Sequence, residues 1–291
     1  MMRCGSTLFG VLFACFVFQQ AQSILNGDKI NWSRHSYLVK VFSRTKRDDV
    51  KSCTGALISN SLILTSRDCV LKDNSNEPMR EFSTVLSISG SRHHEKAQLL
   101  EVNDSWALLE IRELSLIKLC PDDQPRHVLP INLKPTLNGS SIVNVPVDEI
   151  INSRCFLAGF NTTDESKKFL QVTTTLRLDV NLKLPYENDG YYRAQVIENS
   201  TACYDDVGAP LICSTTHHGI MLVGFFRNSG IPVSHREDSQ NRLSRREKCA
   251  LAREMYFDLI TVDTRLIEFI EKHFIGAVVQ TYQKCFLNER E

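Results

Sequence analysis

Residues 203–211 read Cys-Tyr-Asp-Asp-Val-Gly-Ala-Pro-Leu, and this stretch decides how the rest of the 291-residue chain is interpreted. Three other short segments belong with it. They are Ile-Leu-Asn-Gly at 24–27, Leu-Thr-Ser-Arg-Asp-Cys at 64–69 and Asn-Asp-Ser-Trp-Ala-Leu-Leu-Glu-Ile at 103–111. Short β-branched and apolar runs separated by turn residues recur along the chain, a spacing that is typical of an all-β barrel architecture.

The four segments together resemble the motifs of the chymotrypsin/trypsin family of serine proteases. Residues 203–211 follow the family's Cys-x-Gly-Asp-Ser-Gly-Gly-Pro-Leu, with the cysteine, the aspartate, a glycine and the proline in register. Residues 64–69 resemble Leu-Thr-Ala-Ala-His-Cys, and residues 103–111 are similar to Asn-Asp-Ile-Ala-Leu-Leu-Lys-Leu. The resemblance covers residues 24–275 and implies an all-β fold: two six-stranded antiparallel β-barrels of the chymotrypsin type with a C-terminal α-helix.

The end of the chain gives its own helix signal. Apolar side chains recur at helical spacing after a capping Asp-Thr pair at 263–264, namely Leu266, Ile267, Phe269, Ile270 and Phe274. We therefore predict three parts: a signal peptide at 1–23, a trypsin-like domain at 24–275 and a C-terminal tail at 276–291. The polar, charged stretch at 230–248 is an insertion relative to the family, interpreted as a solvated loop.

The catalytic positions of the resemblance are degenerate. Val207 stands at the nucleophile, Asp68 at the histidine and Ser105 at the orienting aspartate. Covalent catalysis of this type needs an oxygen or sulfur nucleophile with a base in reach, and valine supplies neither a hydroxyl nor a lone pair. Asp104 lies one residue early; a β-bulge would turn it inward, but it would have no histidine to orient. The sequence predicts a protein that is not an enzyme.

A hydrolase with displaced catalytic groups is the alternative, with Asp68, Asp205 and Asp206 as its candidate carboxylates. By the resemblance, Asp206 is the family's structural aspartate, and Asp205 replaces the glycine whose N–H serves the oxyanion hole. A carboxylate beside that hole would oppose negative charge on a substrate oxygen. The structural interpretation of these aspartates is therefore the one we favour.

The substrate pocket is altered as well. Thr201 stands where trypsin-like members carry the aspartate that selects basic residues, and Arg-Asn-Ser at 227–229 replaces the family's Ser-Trp-Gly. Loss of the tryptophan and the glycine removes the floor and entrance that a substrate side chain needs.

The amino-terminal residues predict secretion. A short basic start, an apolar run at 8–18 and the ending Ala-Gln-Ser at 21–23 have the form of a signal peptide. No other stretch is long and apolar enough to predict a membrane span. The formal net charge is zero, which gives no argument for nucleic acid as a partner. No Cys-x-x-Cys motif occurs, and we expect neither a metal nor a cofactor.

Secretion permits disulfides. The family resemblance implies three pairs, Cys53–Cys69, Cys155–Cys213 and Cys203–Cys249. Cys120 and Cys285 are left over; paired, they would staple the tail to the linker between the barrels, and free thiols are the alternative. Five Asn-x-Ser/Thr sequons predict glycosylation. They begin at Asn31, Asn103, Asn138, Asn161 and Asn199.

Residues 24–27 resemble the family's Ile-Val-Gly-Gly, which is freed when a zymogen is cut. The resemblance implies that the amino group of Ile24 folds inward and pairs with Asp206. Because Ser23 ends the predicted signal peptide, signal peptidase alone would expose Ile24. The predicted function is binding to an extracellular protein partner, as a cofactor, decoy or regulator of proteases. A gene product without a selected role is a further alternative.

Overall fold

The computed structural model describes residues 24, 27–45, 50–73, 75–88, 90–120, 128, 133–136, 139–142, 147–162, 172–183, 192–196, 200–203, 206–217, 219–230, 249–260 and 264–287. The predicted signal peptide, the insertion after Gly230 and Asp205 lie outside these residues, as do Asn138 and Asn199.

Strands dominate the described part of the chain. In chain order they are β1 (Asp28–Ile30), β2 (Leu38–Arg44), β3 (Val50–Leu57), β4 (Leu62–Ser66), β5 (Glu81–Ile88), β6 (Ser91–Val102), β7 (Trp106–Ile111), β8 (Leu133–Thr136), β9 (Gly139–Ile142), β10 (Arg154–Thr162), β11 (Val172–Val180), β12 (Leu182–Lys183), β13 (Tyr192–Gln195), β14 (Pro210–Thr215), β15 (Gly219–Gly230) and β16 (Glu254–Leu259). The helices are α1 (Leu116–Leu119), α2 (Val147–Ile151), α3 (Thr264–His273) and α4 (Ile275–Tyr282), with 3₁₀ turns at Trp32–Arg34 and Arg67–Cys69 and a π-helical turn at Gln283–Leu287.

The amino-terminal half forms a closed antiparallel barrel in the order β2-β3-β4-β7-β6-β5. Every residue of β4 is buried, because one face of the strand points into the barrel and the other is covered from outside. The apolar run that contains Leu62, Ile63 and Leu64 therefore has no solvent face to alternate with. Trp106 at the start of β7 is also buried and is the largest side chain of this core.

The carboxy-terminal half forms an antiparallel sheet of eight strands in the order β1-β11-β10-β14-β15-β16-β13-β12. The prediction of a chymotrypsin-like, mostly β fold with a C-terminal helix is confirmed. The second barrel differs from the expected closed six-stranded form: in the described residues it is a half-barrel sheet. Its edges are extended by the three-residue β1, which pairs with β11, and by the two-residue β12.

The predicted closing helix is present as α3, and the chain then continues into α4 and the π-helical turn. Residues 276–287, which the sequence predicted only as a tail, are therefore helical. Val278, Tyr282 and Cys285 are buried against the core of the first barrel. Thr281 Oγ1 accepts a hydrogen bond from the backbone N–H of Asn60 at 3.3 Å, which ties α4 to the turn between β3 and β4.

All four expected disulfides are present. Cys120 and Cys285 join with their Cα atoms 5.1 Å apart, so the stapled tail is the correct alternative and the free thiols are not. The other three pairs follow the family register, with Cα separations of 5.8, 4.0 and 5.6 Å for Cys53–Cys69, Cys155–Cys213 and Cys203–Cys249.

Two further sequence expectations concern the glycosylation sequons and membrane-spanning segments. Asn31 is exposed and caps the first 3₁₀ turn through its Oδ1, while Asn103 lies half-buried in the turn between β6 and β7. Asn161 belongs to β10. Within the described ranges, no helix is long and apolar enough to cross a bilayer.

We predict that replacing both Cys120 and Cys285 with serine lowers the free energy of unfolding by about 2–4 kcal/mol, because it frees a cross-link between residues 165 positions apart. Urea denaturation followed by tryptophan fluorescence measures the change. Non-reducing peptide mapping of the variant controls for the other three pairs. An unchanged unfolding midpoint would show that α4 is held by packing alone.

Candidate functional site

The turn that carries Val207 lies where the first barrel meets the second sheet. The carbonyl oxygen of Val207 accepts a hydrogen bond from the backbone N–H of Thr54 in β3 at 3.1 Å. Cys69 Sγ lies 3.4 Å from the same oxygen. The Val207 side chain is half-buried and packs against the core of the first barrel. The predicted nucleophile position is therefore at the junction of the two halves, and it presents an aliphatic group.

Gly208 shows why the chain needs glycine after Val207. Its φ is +78°, a region that side chains with a Cβ rarely adopt. A Cβ there would also lie 2.3 Å from the carbonyl oxygen of Thr54 and 2.5 Å from Thr65 Oγ1. Its own N–H donates to the carbonyl of Phe226 in β15 at 3.0 Å, so this residue touches both halves.

Asp206 is fully buried beside this turn. Its Oδ2 accepts from the backbone N–H of Cys203 at 2.8 Å, and its carbonyl accepts from Ala209 N–H at 2.7 Å. The carboxylate thus orders the turn between the Cys203 disulfide and β14. The Asp206 carboxylate acts here as a hydrogen-bond acceptor for the backbone.

Ile24 and Asp206 approach the same point from different parts of the chain. Ile24 is fully buried in the core of the second sheet. A Cβ on Gly159 would lie 2.8 Å from Asp206 Oδ1 and 3.3 Å from Ile24 Cδ1. Both side chains therefore adjoin the space that Gly159 leaves open, and the two residues predicted as a latch lie near each other.

Asp68 lies on the 3₁₀ turn that follows β4, with its side chain exposed. Its backbone N–H donates to Ser66 Oγ at 3.4 Å, and its carbonyl accepts from Lys51 Nζ at 2.8 Å. Lys51 also pairs with Asp73 at 2.6 Å, so this lysine holds the turn from outside. The Asp68 carboxylate faces the solvent side of the junction.

Ser105 lies beside the same turn, because its carbonyl accepts from the backbone N–H of Arg67 at 3.2 Å. The three predicted catalytic positions are thus brought to one region: Ser105 contacts the residue before Asp68, and Cys69 contacts Val207. Asp104 points away from it. Its side chain is 78% exposed, with Arg67 at 3.4 Å and Arg265 at 3.7 Å, so no bulge turns this carboxylate inward.

The sequence analysis missed Asp258. This residue lies in β16 and is buried, and its Oδ1 accepts from Arg227 Nη1 in β15 at 3.1 Å. The pKa of Asp258 is raised to about 6. Burial is the main cause; the Arg227 guanidinium acts in the opposite direction, and the carboxylate of Asp68 adds to the rise. An acidic residue inside the apolar run Met-Tyr-Phe-Asp-Leu at 255–259 is the signal that would have identified it.

Several described residues in the region of the predicted substrate pocket are buried. Thr201 is buried, and its hydroxyl donates to the carbonyl of Ala202 at 3.1 Å. Cys249, which is bonded to Cys203, and Phe226 in β15 are also fully buried.

For metal binding, the described ranges contain no group of three or more histidine, cysteine, aspartate or glutamate side chains that would hold an ion. His93 and His94 lie next to each other on β6.

Comparison with known proteins places these features in a family. Residues 24–236 match the family model described as Trypsin. Snake venom serine proteinase 8 of Crotalus adamanteus is 24% identical over 228 residues, which cover 74% of this chain and 81% of that protein.

Solved structures share the fold. HL collagenase aligns with a TM-score of 0.56 at 14% identity and covers 86% of this chain and 99% of its own. Human heparin binding protein aligns with a TM-score of 0.55 at 17% identity, covering 86% of this chain and 97% of its own.

We predict that Gly208→Ala destabilises the protein by about 2–5 kcal/mol, because the new Cβ adds a backbone clash to the cost of a positive φ. Gly219→Ala is the matched control: its φ is +71°, but a Cβ there meets nothing within 4 Å. The control should lose only about 1 kcal/mol. Equal losses in thermal or urea unfolding would show that the junction at Gly208 is not tightly packed.

Proposed function

The chain belongs to the trypsin family of serine proteases, and on that premise we propose that it is a secreted member that acts by binding and does not cleave peptide bonds. The alternative, a serine-type hydrolase with displaced catalytic groups, would need a nucleophile and a base elsewhere at the junction.

One observation carries the proposal: the residue at the turn between the halves is Val207. Its backbone is fixed to β3 by the hydrogen bond from Thr54, so an aliphatic side chain is held at this position. The hydroxyl of Thr65 lies beside the neighbouring Gly208, is fully buried and donates to the carbonyl of Thr54 at 2.7 Å. A committed, buried hydroxyl is a poor nucleophile.

The ionisable groups that interact with Asp258 support the same conclusion. Asp68 and Asp258 are carboxylates, and Arg227 is a guanidinium that stays protonated. A general base that also returns its proton to a leaving group is most effective when its pKa lies near the working pH, which imidazole achieves. Asp258 has a pKa near that range, but its described bond is to Arg227 in β15.

The evidence for an extracellular location supports an extracellular protein as the partner. Four disulfides and the match to a snake venom proteinase agree with an extracellular protein. A rigid pair of β halves presenting loops suits recognition of another extracellular protein, in the role of a cofactor, decoy or regulator. One structure with this fold is named for binding heparin, so the fold is compatible with binding, and a sulfated polysaccharide belongs among the ligands tested.

We predict that the purified secreted protein is not labelled by a fluorophosphonate probe and does not digest casein, whereas trypsin treated in parallel does both. Val207→Ser should remain unlabelled, because Asp68 and Ser105 give that serine neither its usual base nor its orienter. Labelling of the wild type would overturn the proposal. Affinity capture from the native fluid, with heat-denatured protein as the control, then identifies the partner.

We also infer that the mature amino terminus is Ile24 and that its ammonium group pairs with the Asp206 carboxylate. Edman sequencing should begin at Ile24. Asp206→Asn should lower the free energy of unfolding by about 3–5 kcal/mol, since it leaves a buried ammonium group without its charge partner. Extending the amino terminus by one residue should have a similar effect.

Asp104→Asn is the matched control for this latch, because Asp104 is 78% exposed and its removal should change stability by no more than about 0.5 kcal/mol. A mature chain that starts elsewhere, or an extended variant as stable as the wild type, would contradict the latch. That result would leave Asp206 with a role in ordering its own turn, through the bond from Cys203 N–H.

A further inference from the structure

Strand β6 extends beyond the strand that covers one of its edges. Its residues 91–96 pair with β5. On the other edge, β7 pairs with β6 only from Ala97 to Val102. Within the described part of the chain, residues 91–96 therefore have a ladder partner on one side only, and we call this segment the β6 arm.

The outer edge of the β6 arm carries backbone groups that a further strand would use. In an antiparallel pair, every second residue turns its N–H and C=O toward the neighbouring strand, and the residues between turn theirs away. About three of the six residues of the arm therefore direct these groups to the side that β7 does not cover. Folded proteins protect such edges or use them to bind an extended segment of another chain.

Basic side chains line one face of the β6 arm. Arg92, His94 and Lys96 alternate along the strand and are exposed, whereas His93 and Glu95 on the other face are half-buried. Successive side chains on one face are about 7 Å apart. Their ladder partners in β5 carry no charge: Ser87, Val85 and Ser83. Neither His94 nor Lys96 forms a salt bridge with a described carboxylate, so their charge faces solvent.

The positive surface continues past the end of the arm. The Arg92 guanidinium lies over the ring of Trp32, 5.9 Å from its centroid. Trp32 begins the first 3₁₀ turn, and Arg34, which ends that turn, is exposed. Arg92 adds charge to this surface while its own contacts stay in place.

We propose that the β6 arm binds an acidic, extended segment of an extracellular protein, which adds to the outer edge of β6 as a further strand. The backbone of the segment pairs with residues 91–96. Its acidic side chains, at every second position, lie on the face of Arg92, His94 and Lys96. This assignment rests on the proposed binding function and gives it a surface and a partner chemistry.

The combination of a free edge and a basic face favours a peptide over a sulfated polysaccharide. A polysaccharide supplies negative charge, but it has no run of peptide N–H and C=O groups and leaves the edge of the arm unused. An acidic peptide strand satisfies both features at once, with main-chain hydrogen bonds for affinity and alternate side chains for specificity.

The test uses the full mature protein and an octapeptide of alternating glutamate and threonine with a fluorescent label. Fluorescence anisotropy measures the affinity, and hydrogen exchange measures the protection of the amides of the β6 arm. We expect saturable binding with a dissociation constant below about 1 mM. The affinity should fall about tenfold between low and high salt, and the amides that face away from β5 should gain protection when the peptide binds.

A second peptide separates strand addition from simple charge attraction. It has the same sequence with N-methyl groups on two neighbouring central residues, so that both edges of the peptide strand are blocked while its charge is unchanged. It should bind at least about tenfold more weakly. Equal affinity for the two peptides would overturn the proposal. So would tight binding of a heparin octasaccharide together with no measurable binding of the unmethylated peptide.

Variants assign the binding to the arm. His94→Glu combined with Lys96→Glu should lower the affinity at least about tenfold, because two attractive contacts become repulsive. The matched control, Lys118→Glu combined with Lys272→Glu, changes the net charge equally at exposed positions on α1 and α3 and should bind within about twofold of the wild type. Wild-type affinity in the first variant, or the same loss in both, would contradict the assignment.

Fluorophosphonate labelling of the same preparation keeps the two proposals apart. An unlabelled protein that does not bind the peptide loses the β6 arm as a binding surface and keeps its non-catalytic function. A labelled protein that binds the peptide keeps the arm and loses the non-catalytic function.

Discussion

The hydrogen bond from Thr54 N–H to the carbonyl of Val207 is the constraint on which the arrangement of the junction depends. With the contacts of Gly208, it fixes the turn against both the first barrel and β15. These contacts use the backbone and a missing Cβ, so they place no demand on the side chain of Val207. The scaffold can therefore keep its geometry while the residue at the centre carries no chemistry.

Charge at the junction is used for structure in the same way. Asp104 bridges Arg67 and Arg265 at the surface, Asp258 holds Arg227 at the bulge of β15, and Asp206 orders the turn before β14. Each carboxylate has a described partner that is a cation or a backbone N–H. Groups committed in this way are poor proton shuttles, and each of them fixes the local structure of a turn or a strand.

The sequence predicted the fold and three disulfide pairs, because short motifs in fixed register determine them, and it offered the Cys120–Cys285 pair as one use of the two cysteines left over. The structure places Ile24 and Asp206 beside the same glycine, and their pairing stays a prediction. It did not predict the half-barrel form of the second sheet or the helical end of the chain, since the motifs end at the closing helix. The acidic residue in the apolar run at 255–259 marks Asp258 as a buried carboxylate, but its partner could not be predicted. Arg227 reaches Asp258 from a β-bulge between Phe226 and Asn228, and one extra residue in a ladder has no signature in the sequence. The direction of the Asp104 side chain could not be predicted either, because it depended on whether a β-bulge turns it inward.

The central claim is that Val207 leaves the junction without a nucleophile. Incubation of the mature protein with a proteome-derived peptide library, followed by mass spectrometric identification of new amino termini, tests this claim without assuming a substrate. The account predicts no new termini above those of a sample without the protein. A reproducible set of cleavages that is retained after repurification and follows the protein through gel filtration would contradict it.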